Sequence, residues 1–259
     1  MEVRTERCDK WVRAYLGDVL VVDSRDPVLF WEEVFPVPAY AFPWTDITPG
    51  LLQEADGEPP SEPFFFLPKG PVERWFDLVV PGHTRPHAAW VRAVPELSEL
   101  VVLSWRPGVL DRWLEEEEEV ASHPRDPYKR VEAIASSRHV VVELDGLRLA
   151  DSTRPVLLFE TGLPTRYYLP REDVVLPALT PSPHRSHCPY KGIADTYWNI
   201  GDDPAVADAA WSYTAPLPAV GKVAGMVAFY NELVDITIDG IRQERPVTVF
   251  SDPAHRPAS

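Results

Sequence analysis

Six consecutive residues, His187-Cys188-Pro189-Tyr190-Lys191-Gly192, gather an imidazole, a thiol, a phenol and an amine in one short stretch. A cysteine flanked by histidine and lysine is the arrangement that favours a thiolate nucleophile. A lysine ahead of a glycine can hold an anion or form an imine, and a tyrosine can donate a proton. Pro189 and Gly192 would fix the loop. The catalytic expectation is therefore Cys188 or Lys191 as nucleophile, with His187 or Tyr190 as acid or base. The same residues also admit a structural reading, in which Cys188 is a small buried hydrophobe, Tyr190 is core and Lys191 is a solvated charge. His184, His187 and Cys188 have spacings a metal could use, but three ligands on one proline-broken loop with no second cluster are a weak signal, and no metal is assigned.

The elements that must hold this loop are revealed by self-similarity. From Asp23/Asp151 to Pro36/Pro164, seven of fourteen ungapped columns are identical, including Asp-Ser, Pro-Val-Leu, Glu and Pro. Before them, Val12 to Val21 and Val141 to Leu149 each read as a two-stranded hairpin over a Gly-Asp or Asp-Gly turn. After them, Tyr40-Ala41-Phe42-Pro43 matches Tyr167-Tyr168-Leu169-Pro170, Lys69-Gly70 matches Lys191-Gly192, Trp75-Phe76 matches Tyr197-Trp198, and Ala88-Ala89-Trp90 matches Ala209-Ala210-Trp211. The landmarks keep one order, so the chain reads as a duplication. Its parts are a first repeat over 1–122, a linker strap over 123–137 and a second repeat over 138–259.

The copies differ where chemistry would sit. His187, Cys188 and Tyr190 face Phe65, Phe66 and Pro68, and Arg171 faces Trp44, while the prolines, glycine and tryptophan persist. Loss of a site from the first copy accounts for that pattern, and so does burial of this face of the first copy. Asp23-Ser24 and Asp151-Ser152 occur in both copies and read as a turn or cap.

Within each half the β-branched runs predict strands. Leu217 to Asp235 predicts a helix, since Val220, Val223, Val227, Tyr230 and Val234 repeat at three- and four-residue steps behind Pro216 and Pro218. Its counterpart, Glu96 to Trp105, is cut short by Pro107-Gly108. The fold class expected is α+β and β-rich. It consists of two tandem copies of a small antiparallel-sheet domain, each with one or two helices, packed as a pseudo-dimer.

The chain has 259 residues, a formal net charge of −15 and 29 prolines. The hydrophobic fraction of 45% supports a packed core, and the acidic balance argues against nucleic acid or an anionic membrane as partner. Cys8 and Cys188 are the two cysteines, which is no disulfide framework. The charged start, Met1-Glu2-Val3-Arg4, lacks the apolar stretch of a signal peptide, and no apolar run reaches membrane-spanning length. A reducing cytoplasm is the expected compartment. The run Glu115 to Glu119 reads as a solvated helix end or loop. His83 and His87 receive no role.

The second half resembles a bacterial family catalogued as domain of unknown function 427. The resemblance is carried by Ser136-Ser137-Arg138-His139-Val140, Asp145-Gly146, Ala150-Asp151-Ser152 and Leu157-Leu158-Phe159-Glu160-Thr161-Gly162-Leu163-Pro164. It continues in Tyr167 to Val174, His187 to Gly192, Asp208-Ala209-Ala210-Trp211-Ser212-Tyr213 and Ala228-Phe229-Tyr230, spanning residues 136 to 240. The linker from His123 to Val131 also resembles that of two-domain members. The resemblance implies a compact β-rich fold related to the β-tent group and no established activity. The family sometimes carries a nucleotidyltransferase label. Such enzymes need a Gly-Ser followed by paired aspartates for magnesium, whereas Asp202-Asp203 precedes Pro204 with no Gly-Ser.

These readings converge on a cytoplasmic protein with one small-molecule pocket in the second repeat. Arg171, Arg138 and Arg125 would meet an anionic group, and Tyr167, Tyr168, Trp198 and Trp211 would wall an aromatic one. An enzyme using Cys188 or Lys191, a non-catalytic binding module of β-tent type, and a structural or interaction protein are the three functional readings. The sequence names no cofactor, and the internal pseudo-dimer is compatible with a monomer.

Overall fold

The computed structural model describes residues 2–33, 35, 37–59, 67–201 and 206–251. Pro36, Phe65, Phe66 and the Asp202-Asp203-Pro204 stretch, all singled out above, lie outside the described residues. The chain divides into two compact units, Met1–Asp126 and Pro127–Ser259. Each is β-rich, with antiparallel sheets. Among the described residues every helical stretch is a short 3-10 turn.

The second unit starts from the hairpin Val140–Leu144 and Leu147–Ser152. Asp145 and Gly146 turn it, both with positive φ (49° and 81°), as a two-residue hairpin turn requires. Its register runs from Val140↔Ser152 to Leu144↔Leu147, with a bulge between Val142 and Glu143. Val156–Glu160 then pairs on one side with Val131–Ala135 and on the other with Arg166–Tyr168. The stretch 131–135, read as part of a linker strap, is thus an edge strand of the second unit. The strands Leu179–Ser182, Thr196–Ile200, Ala210–Ser212 and Val227–Phe229 form a further sheet. Reciprocal bonds between Leu169 and Val227 (2.8 and 2.9 Å) join it to the strand before. Pro181 sits in its outermost strand, where a missing N–H costs no ladder bond.

The pleat sends alternate side chains to opposite faces of this sheet. Trp198, Ile200, Ala210, Val227 and Phe229 enter one core, with Val140, Leu149 and Ile236. Tyr197, Trp211 and Ala228 enter the other, with Tyr168, Tyr213 and Tyr230. This division decides which candidate residues can meet.

The first unit opens with a similar run of strands. Val12–Leu16 and Val19–Ser24 pair from Val12↔Ser24 to Leu16↔Val19, with a bulge between Ala14 and Tyr15. Val3–Arg7 pairs with Val28–Glu32, from Val3↔Glu32 to Arg7↔Val28, as Val131 to Ala135 pairs with Glu160 to Val156. Ser24 Oγ donates to Asp46 at 2.6 Å and Ser152 Oγ to Asp173 at 2.7 Å. Each serine oxygen also accepts the backbone N–H two residues on, so the Asp-Ser pairs are turn devices, as their chemistry predicts. His87 and Asp208 both hold a positive φ, and each backbone N–H is taken at 2.8 Å by a side chain of the preceding strand, Asp77 or Asn199.

Three expectations are overturned. The helix predicted over Leu217 to Asp235 is a 3-10 turn (Pro218–Val223), a strand (Val227–Phe229) and the start of another strand (Asp235–Ile238). All five periodic residues are buried, so the spacing reported burial and not a helix. They divide between two cores, which one helix face cannot do: Val227 and Val234 enter one, Val220, Val223 and Tyr230 the other. Four are valines, which favour strand, and Gly225 breaks the run at φ 70°. The helix predicted over Glu96 to Trp105 is likewise a strand, Leu100–Leu103, in the middle of a seven-stranded sheet. The acidic run is a β-hairpin, Arg112–Glu115 with Glu118–Glu119, and Glu115 is buried. Its carboxylate accepts from Lys10 Nζ (2.6 Å) and the Tyr40 hydroxyl (2.8 Å).

Candidate functional site

The hexapeptide folds as a hairpin. Ser186–Cys188 pairs with Gly192–Ala194, and Pro189, Tyr190 and Lys191 make the turn. Gly192 holds φ 95°, a conformation that side chains resist, beside the backbone of Leu217. The Leu217 N–H donates to the Lys191 carbonyl at 2.9 Å, fixing the turn against the following segment. His187 is exposed on the strand, Pro189 is buried, and Cys188 and Tyr190 are half-buried.

Lys191 runs inward. Its side chain is 14% exposed and its ammonium is ion-paired with Glu160, itself 6% exposed. Lys129 Nζ lies 3.7 Å from the other oxygen of Glu160. Burial alone would lower the pKa of the Lys191 amine, but the acidic groups around it (Cys188 first, then Glu160 and Tyr168) outweigh burial and raise it above the ordinary lysine value. Lys191 is therefore an ammonium at neutral pH, a fixed cation and not the free amine that imine formation needs.

Four tyrosines stand with this pair in the same core. The Tyr168 hydroxyl accepts from Trp211 Nε1 at 3.0 Å, and burial pushes its pKa up to about 12, with Lys191 pulling it back. Tyr213, whose charge couples to Tyr168, Cys188 and Glu160, is raised well above the ordinary value, mainly by burial. Tyr197 and Ser186 share a hydrogen bond of 2.6 Å, and burial raises Tyr197 too. These phenols stay protonated at neutral pH and can donate. Beside them Arg166 makes a two-pronged pair with Glu232 at 2.5 and 2.8 Å, under the rings of Trp211, Tyr230 and Phe250. Burial would raise the Glu232 carboxyl, but Arg166 and Thr248 hold it below its usual range.

The candidate residues named from the sequence do not all meet. Tyr168 and Trp211 share one core, and Lys191 and Cys188, on their own hairpin, lie close enough to Tyr168 to act on its charge. Trp198 belongs to the other, with the exposed Arg171 guanidinium 5.3 Å from its ring. Tyr167, one residue from Tyr168, also faces that second core. Arg138 is exposed and paired with Asp239 at 2.8 Å. Arg125 belongs to the first unit, where it pairs with Glu118 at 3.1 Å. Sequence reasoning missed Glu160, Lys129, Tyr197, Ser186 and the Arg166–Glu232 pair as parts of the cluster. Glu160 did carry a signal, because it aligns with Glu32 across the repeat.

In the first unit Glu32 takes the Lys69 backbone N–H at 2.9 Å and pairs with the fully buried Arg92 at 2.7 Å. Burial lowers the Lys69 amine and Glu32 pulls it back up. Ala41 occupies the register position of Tyr168, since each lies opposite the first residue of its neighbouring strand. The indole N–H of Trp90, equivalent to Trp211, has no partner among the described residues. Glu32 of the first unit is thus also a buried, paired carboxylate, with different polar groups around it.

Among the described residues no helix is long and apolar enough to cross a membrane. No curated protein matches the chain. The model of a family described as Domain of unknown function (DUF427) matches residues 132–240, a span that contains Glu160, Tyr168, Cys188, Lys191, Trp211 and Tyr213. Over residues 132–240 the chain is thus similar to the DUF427 family, which agrees with the resemblance read from its motifs.

Proposed function

We propose that the chain is a tandem of two copies of one β-rich domain, and that the second copy acts on a small molecule in the bacterial cytoplasm. Cys188 is its reactive group and Lys191 its fixed cation. The carrying observation is the Lys191–Glu160 ion pair held almost out of water beside a half-buried thiol and the Tyr168 and Tyr213 phenols. A buried ion pair is weak evidence for stability alone, because an apolar pair of equal size often folds as well. The tandem reading rests on shared register, bulges and serine–aspartate turns in the two units.

The chemistry this suits is addition of a thiolate to an electrophilic carbon. Cys188 Sγ forms the new bond with its own electron pair, and the displaced π pair moves onto the substrate oxygen. That oxygen takes negative charge facing the Lys191 ammonium and a phenol O–H. A small electrophile with an oxygen acceptor fits this description. An anionic or aromatic portion is compatible with it.

The test is alkylation of Cys188 by iodoacetamide, followed by mass spectrometry in a Cys8→Ser background. Lys191→Met is expected to slow the reaction at pH 7 about tenfold, the effect of one nearby partly buried charge, and Lys191→Arg to restore most of it. Should Lys191→Met lower stability, Glu160→Gln/Lys191→Met removes both charges together and must show the same slowing. Equal rates in all four proteins would discard the thiol chemistry and leave the non-catalytic binding module.

A further inference from the structure

The second unit holds a hollow away from the Cys188 cluster, with a volume of about 170 Å³. Pro164, Tyr167, Asn231, Gln243, Glu244 and Pro246 are among its walls. Its size is well under the 300 Å³ or so of a drug-sized pocket, so it suits a compact ligand. It lies on the Tyr167 side of the strand Arg166–Tyr168, opposite the side on which Tyr168 meets Trp211.

The unused hydrogen-bonding capacity of these walls is mostly of one kind. Asn231 is satisfied at both ends: its Nδ2 donates to the Thr165 carbonyl at 2.9 Å and its Oδ1 accepts from Arg166 at 3.3 Å. The Gln243 side-chain nitrogen donates to Ile241 at 2.9 Å, which leaves its Oε1 as a spare acceptor. Among the described residues the Glu244 carboxylate makes no hydrogen bond or ion pair, and the Tyr167 hydroxyl makes no hydrogen bond. The nearby guanidinium groups are engaged: Arg138 on Asp239, Arg166 on Glu232, and Arg242 and Arg245 both on Asp235. The rest of the wall is the half-buried phenol ring, two proline rings, the apolar side chains of Val234 and Ile236, and Thr165, whose hydroxyl can accept as well as donate.

We infer that this hollow is a binding site for a small organic cation, an alkylammonium group. An aromatic face and a carboxylate both attract such a cation, the first through its ring quadrupole and the second through its charge. Proline rings offer apolar contact to N-alkyl groups without competing donors. The chain's net charge of −15 raises the local concentration of cations over anions. The site is independent of Cys188, because period-two alternation puts Tyr167 and Tyr168 on opposite sides of their strand.

Ligand-observed saturation-transfer NMR on the full chain tests this, with tetramethylammonium and methylammonium chloride as probes and ionic strength matched by sodium chloride. Saturable binding of at least one probe is expected. Glu244→Gln should weaken it about fivefold and Tyr167→Ala about tenfold, matching the loss of one screened charge and one ring face. Glu244 is exposed, so its variant keeps the test alive if Tyr167→Ala folds poorly. Cys188→Ser should bind as the unaltered chain does, which separates this site from the thiol chemistry. Absence of saturable binding by both probes, preference for acetate over either, or equal affinity in the Glu244→Gln variant would overturn the proposal.

Discussion

Tyr168 does two jobs at one oxygen: it accepts the Trp211 indole N–H, and it stands within the field of Lys191. Tyr168→Phe leaves that buried N–H without an acceptor, a loss of about 1–3 kcal/mol at pH 7 by urea unfolding. The same substitution should flatten part of the alkaline response. The folded-state pKa of Tyr168 is pushed up to about 12 from an ordinary 10.0, so its stabilisation is whole below pH 10 and is lost as pH rises toward 12. Two pKa units correspond to about 3 kcal/mol across that window. A variant that loses stability between pH 10 and 12 as steeply as the unaltered chain would remove Tyr168 from this account. Lys191 titrates in the same direction, because its folded-state value lies above 10.5 and its contribution fades as pH climbs past that.

At the scale of elements, the turn of the Ser186–Cys188 and Gly192–Ala194 hairpin aims Lys191 at Glu160. Gly192 sits at φ 95°, and an added Cβ there would meet the Leu217 backbone at 3.5 Å. That is ordinary contact, so the cost of Gly192→Ala comes from the backbone conformation, about 1–3 kcal/mol. If the turn positions the cluster, Gly192→Ala should also change the Cys188 alkylation rate by more than the global loss of stability explains. An unchanged rate with a lowered unfolding midpoint would make Gly192 a purely structural glycine. The sequence marked a loop fixed by Pro189 and Gly192; that its two arms pair as a hairpin came from the structure. The strand Val227–Phe229 was not legible, because valines at three- and four-residue steps satisfy a helical period while their branching favours extended backbone. Only its two flanking cores resolve that ambiguity.

Across the whole molecule, deprotonation is opposed in both units. Tyr40, beside Glu115 in the first unit, is raised by burial, as are Tyr168, Tyr197 and Tyr213 in the second. Every one of these folded-state values lies above the unfolded value, so the thermal midpoint should hold steady from pH 7 to about 10 and fall beyond it. On the acid side Glu232 works in reverse. Its lowered carboxyl stabilises above the ordinary value of 4.5, and that contribution is lost as pH falls below it. Circular-dichroism melts from pH 3 to 11.5 read both limbs, and a midpoint flat to pH 11.5 would contradict the alkaline half.

Local order was written in the residues themselves. The Asp-Ser turns, the hairpins with their Asp-Gly and Gly-Asp corners and the β-rich class follow from chemistry that acts over a few neighbouring positions. What depends on long-range pairing was settled by tertiary structure. Sheet register placed Tyr167 and Tyr168 on opposite faces, sent Trp198 and Trp211 to separate cores, and so divided one expected pocket into a thiol–lysine–tyrosine cluster and a separate hollow at Tyr167. Glu160 became the partner of Lys191 because a strand 31 positions earlier in the chain ends beside the turn. A one-residue change in which face a side chain takes is invisible to composition and decisive for a site.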